Sequence, residues 1–115
     1  IKDDERVLTM AKVEVNPGVC GFQTVITADS EDMQTAVIHI ESDCEKIQRL
    51  AGVLKEVDAF TEIFAKLEDT TVCKLAGQCG LHAACPIPAA VIKGVEVACG
   101  LALPKDVEIK VFKEE

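Results

Sequence analysis

Cys85 stands three residues after His82 and directly before a proline pair, in the run His82, Ala83, Ala84, Cys85, Pro86, Ile87, Pro88. Proline is tolerated in the first turn of a helix, where its missing N–H has no partner in any case, so the run reads as a loop feeding a helix that starts at Cys85. A thiol in that place faces free N–H groups and the positive end of the helix dipole. Both favour the thiolate, the form that binds metals and attacks sulfur. Cys20 follows the turn residues Asn16, Pro17 and Gly18, and Cys44 follows Ser42 and Asp43, a helix-start signal. Three cysteines thus fall at element ends, where a sheet with packed helices brings its loops together. With His82 they supply three thiolates and one imidazole, a tetrahedral set suited to zinc or, with bridging sulfides, to an iron–sulfur cluster.

The other candidates are weaker. The alternative for Cys20, Cys44 and Cys85 themselves is that each is a small buried hydrophobe, a common fate of free cysteine. Cys73 and Cys79 lie six residues apart on a short helix and point in different directions. Cys73 is expected in the core, and Cys79, close to His82, as a spare ligand or resolving thiol. Cys99 falls on an apolar helical stripe and is expected to pack. His39 belongs to the outward row of a strand. The acidic run Asp29, Ser30, Glu31, Asp32 lacks the spaced ligands and glycine of a calcium loop and reads as a solvated turn. No G-x-S-x-G, phosphate-loop or dinucleotide fingerprint occurs, which removes the usual hydrolase and nucleotide readings at motif level. A Cys–His hydrolase would need a third, orienting group that the sequence does not identify.

The scaffold that must hold these residues is small and aliphatic. In 115 residues there are four phenylalanines and no tryptophan or tyrosine, which leaves little for base stacking, and the net charge of −8 repels a phosphate backbone. Six cysteines without a charged-then-apolar leader point to reduced thiols in the cytoplasm, and no apolar run is long enough to span a bilayer.

Alternation predicts strands over 7–15, with Val7, Ala11, Val13 and Val15 on one face, over 22–28, and over 34–41. Helical spacing of Ile47, Leu50, Ala51, Leu54 and Val57 predicts a helix opening at Cys44, followed by a weaker one over 59–67. Thr70 and Thr71 cap a third through Gln78, stopped by Gly80, and a fourth runs over 89–103 until Pro104. Val107, Ile109 and Val111 alternate as a final strand. Asp3, Asp4 and Glu5 at one end and Glu114 and Glu115 at the other are expected to be frayed, charged ends. The expected fold is a single α+β domain over 1–115, a small antiparallel sheet of three N-terminal strands plus a C-terminal strand, packed on one side by about four helices.

Cys20 after a first strand, Cys44 after a third, and His82 through Cys85 before a long final helix resemble the frame of iron–sulfur cluster assembly scaffolds, the IscU and NifU N-terminal type. The resemblance covers Cys20 to Ala98 in element order. It departs at Phe22, where that family has an aspartate, and at Ala83 and Ala84, which separate a His-Cys pair that is adjacent there. It implies an IscU/SufE-like fold and a nascent iron–sulfur cluster or zinc held by Cys20, Cys44, His82 and Cys85. Locally, Cys85-Pro86-Ile87-Pro88 resembles the C-P-x-P box of TusA-type sulfur carriers, which implies a persulfide on Cys85 and a cysteine desulfurase or acceptor protein as partner. A wider resemblance, to uncharacterised small proteins of anaerobes, implies no activity. The expected function is therefore a metal- or cluster-binding protein, more a binder than an enzyme. The alternatives are a persulfide carrier, or a structural or interaction protein with buried cysteines.

Overall fold

The computed structural model describes residues 9–115; Val7 and the acidic Asp3, Asp4 and Glu5 lie outside the described residues. Strands β1 (Thr9–Val15), β2 (Thr24–Ser30), β3 (Thr35–Ser42) and β4 (Glu56–Asp58) form one antiparallel sheet in the order β1-β2-β3-β4. Helices α1 (Glu45–Val53), α2 (Ala59–Phe64), α3 (Thr71–Gln78) and α4 (Ile87–Ala98) complete the body, with a short 3-10 turn at Leu67–Asp69. The alternation of β1 to β3 puts Ala11, Ile26, Ala28, Ala36 and Ile38 against the helices and leaves Lys12, Glu14, Val37, His39 and Glu41 on an open face. His39 is on the surface, as its place on the strand requires.

The main core joins Ile26 and Ile38 of the sheet to Leu50 of α1, Val72 of α3, and Ile87, Val91 and Val95 of α4, with Leu54 beside them. Cys99 packs into it, and burial pushes its thiol up. A smaller cluster, Ala11, Ala28 and Ala98, lies where α4 crosses β1 and β2. Small side chains bring that helix close: a Cβ on Gly94 would stand 3.2 Å from Cγ2 of Val13 and 3.8 Å from Cβ of Ala28.

Three expectations about the elements change, and the first is that α4, expected over 89–103, runs over Ile87–Ala98 with Cys99 as its C-cap, well before Pro104. The helix opening at Cys44 stops at Val53, and Leu54 and Val57 are buried from a loop and from β4 instead. A three-residue spacing fits the helical stripe and not the two-residue period of a strand: Leu54 is buried as the C-cap of α1, and Val57 separately as the inward residue of β4. The fourth strand is therefore β4, not a C-terminal one: residues 104–115 belong to no helix or strand.

Caps set the turns between helices. Asp58 accepts from the Thr61 N–H at 3.0 Å and from Gln34 Nε2 at 2.8 Å, and these donors hold its carboxyl below the usual range. Thr70 caps α3 by accepting from the Cys73 N–H at 3.1 Å, as the sequence predicts. The next donors of that helix are taken by Glu62, which is buried on α2 and accepts from the N–H groups of Thr71 at 2.7 Å and Val72 at 3.1 Å. A carboxylate at a helix N-terminus complements the dipole as well as the donors. Glu62→Ala strands both N–H groups and should lower unfolding stability by about 2–4 kcal/mol. Glu62→Gln, which keeps one acceptor oxygen, should lose less. Denaturant titration checks this, and an Ala variant as stable as the parent would contradict it.

Candidate functional site

The elements do bring the predicted thiols to one end of the molecule. Cys20 is exposed in the loop between β1 and β2, where Gly18 and Gly21 carry φ of +90° and +75°. Cys44 is half-buried at the N-cap of α1, its N–H donating to Ser42 Oγ at 3.2 Å, while Thr24 Oγ1 donates to the same oxygen at 2.9 Å. Cys85 is half-buried just before α4, its N–H donating to the His82 carbonyl at 3.0 Å. The sulfur lies close enough to Cys20 and Cys44 for a thiolate on either to disfavour a second one at Cys85.

Proximity stops short of coordination. Among the described residues no group of three or more His, Cys, Asp or Glu side chains comes together in a form able to hold a metal ion. His82 is exposed and turned to another use: Lys46 Nζ donates to its Nε2 at 3.0 Å. That bond engages the lone pair a metal would need, and an ammonium at this distance repels a cation. The set Cys20, Cys44, His82 and Cys85 is thus not a zinc or iron–sulfur centre, and the expected cofactor is withdrawn with it. Cys79, the expected spare ligand, is buried in the core at the end of α3, where its carbonyl accepts from Arg49 Nη1 at 3.0 Å. Cys73, expected in the core, is only half-buried.

The thiol chemistry is also the reverse of the expectation. Burial pushes the Cys85 thiol up, the nearby Cys20 and Cys44 push it further, and the single opposing contribution named by geometry is the Ile87 N–H. Desolvation outweighs the helix end, so Cys85 is not poised as a thiolate and does not fit a persulfide carrier.

Two open depressions lie elsewhere. One, of about 600 Å³, is lined by Gln23, Ile40, Glu41, Ser42, Asp43, Gln48 and Ala51; the other, of about 320 Å³, by Asp29, Glu31, Asp32, Thr35 and Val37. Neither lining includes a cysteine or histidine. In the second, Asp32 accepts from the N–H groups of Gln34 at 2.9 Å and Thr35 at 2.8 Å, which hold its carboxyl low. It acts as the cap of the β2–β3 turn. Asp29 Oδ1 beside it is buried without a partner.

The C-terminal segment differs most from the expected arrangement. Residues 104–115 leave the body after Gly100, whose φ is +73°, and all are exposed. Val107, Ile109 and Val111 are 57%, 76% and 89% exposed, and Phe112 is 77% exposed. The segment is extended: Glu108 reaches Lys110 at 3.9 Å and Lys113 reaches Glu115 at 3.8 Å, pairs two residues apart that share a face only in a strand-like chain. The molecule measures 61 × 28 × 28 Å, a long axis that matches a segment projecting from the body. Alternation predicted a final strand; the chain here is extended, but among the described residues it pairs with no strand of the sheet.

A family model described as a family of unknown function, DUF6951, matches residues 11–111. No curated protein and no solved structure matches the chain. The likeness to cluster scaffolds is therefore corrected: the matched family is one of unknown function, and the ligand frame that carried the likeness is not assembled.

The thiols should react in an order set by exposure and burial. With iodoacetamide followed by peptide mass spectrometry, Cys20 should label before Cys85, and the Cys85 rate should reach its plateau at higher pH than that of a free cysteine peptide run beside it. A Cys85 that labels first and levels below about pH 8 would show a stabilised thiolate and contradict the assignment.

Proposed function

We propose a function for a chain that belongs to the DUF6951 family: it is a protein-interaction module whose contact element is the C-terminal segment, residues 104–115. The observation that supports this reading is the exposed, extended row Val107, Ile109 and Val111. Contiguous apolar surface held in water is characteristic of a surface with a partner. The body does not need the segment, since its core closes on Ile26, Leu50, Val72, Val91 and Val95. An extended strand with unpaired backbone groups is suited to adding itself to a sheet edge, where main-chain hydrogen bonds supply affinity and the side-chain rows supply specificity.

Charge argues about the partner's class. The acidic chain, with Asp106, Glu108, Glu114 and Glu115 in the segment itself, disfavours nucleic acid and anionic membrane surfaces. Among the described residues no helix is long and apolar enough to cross a membrane. Six free thiols support a reducing compartment, the cytoplasm.

A photoreactive amino acid placed at Ile109, with one at the exposed Glu68 as control, tests the assignment in cells. The Ile109 position should give a defined protein adduct and the Glu68 position none. Absence of an adduct at Val107, Ile109 and Val111 alike would overturn the reading.

A further inference from the structure

We infer that the C-terminal segment pairs with the outer edge of β1 in a second copy of this chain, so that two copies exchange their C-terminal strands. The inference rests on the reading of residues 104–115 as the contact element and adds the identity of the partner.

Among the described residues the sheet ends at β1 on one side and β4 on the other. β4 is three residues long, whereas β1 offers seven, with the backbone groups on its outer side unpaired by the sheet. A long, open edge is a template for another strand. The helix side of that edge is also incompletely covered. Ala11 is buried, but Val13 and Val15 are only half-buried. Helix α4 lies over β1 and β2, with Val97 half-buried against the cluster Ala11, Ala28 and Ala98. A strand laid outside β1 would therefore continue an apolar surface that already has a helix above it.

The segment matches this edge residue by residue. On β1 the apolar Ala11, Val13 and Val15 alternate with Lys12 and Glu14, which pair with each other at 3.5 Å. In the segment Val107, Ile109 and Val111 alternate with Glu108 and Lys110, which also pair with each other. Set parallel, with Ala11 beside Val107 and Val13 beside Ile109, the two strands place Lys12 beside Glu108 and Glu14 beside Lys110. The antiparallel alignment with Val13 beside Ile109 sets lysine against lysine and glutamate against glutamate, which is unfavourable. Both the edge and the strand that fits it reside on one chain. Two copies can satisfy each other reciprocally, closing the assembly as a symmetric dimer with strand exchange.

Size-exclusion chromatography with light scattering on the full chain tests the pairing. The parent should elute at twice the monomer mass. Lys12→Glu with Glu14→Lys reverses the edge, Glu108→Lys with Lys110→Glu reverses the segment, and each double variant should raise the dimer dissociation constant about tenfold or more. Each reversal keeps its own pair two residues apart, so circular dichroism should show the parent fold. An equimolar mixture of the two variants, in which each edge meets a complementary segment, should recover the dimer. A dimer indifferent to both reversals overturns the pairing. A monomeric parent whose Ile109 adduct is a different protein overturns the second copy and leaves the interaction reading standing. A monomer with no adduct overturns both. A monomer in which the segment folds onto its own β1 overturns the exchange.

Discussion

The arrangement depends on how closely α4 lies on the sheet. Gly94 has no Cβ to hold it away, and a Cβ there would stand 3.2 Å from Val13; Ala98 meets Ala11 and Ala28 a turn further on. These contacts set α4 against β1 and β2 in the sense antiparallel to β1. The helix N-terminus is thereby placed at the end of the molecule where the loops with Cys20 and Cys44 arrive. Its C-terminus falls at the start of β1, from which Gly100 directs the chain away from the body. One close helix–sheet contact thus decides both ends: where the thiols gather and where the exposed segment begins.

At the thiol end, gathering and coordination are separate achievements. Loop ends come together whenever helices pack on one face of a small sheet, and that much follows from the order of elements. A tetrahedral site needs side chains aimed within a few tenths of an ångström of ligand bond lengths and freed from other partners. Here His82 is engaged by Lys46, and Cys85 is half covered by the body, which raises its thiol instead of releasing the thiolate. The helix end does contribute, through the Ile87 N–H, but desolvation of the thiol outweighs it.

Much of the fold was legible in residue order. Strict alternation in β1, β2 and β3, the turn at Asn16, Pro17 and Gly18, the Thr70 cap and the proline entry to α4 each state a local preference that packing does not overrule. Ambiguity entered where a spacing along the chain is met by burial from more than one element. Leu54 and Val57 continue the stripe of α1 in spacing, yet they are buried after the helix has ended, Val57 on β4. Val107, Ile109 and Val111 are a different case, since alternation describes an extended chain with one apolar side and is silent about its neighbour. Coordination geometry was beyond reach because it depends on distances that spacing along the chain does not encode.

In the proposed dimer residues 106–112 become a strand only against a second copy, and amide hydrogen exchange across a dilution series reads this directly. Amides of this segment and of the outer side of β1 should be protected together at high concentration and lose protection together on dilution, while the β2–β3 ladder stays protected throughout. Segment amides that exchange freely at every concentration, or that remain protected at every dilution, would contradict the account.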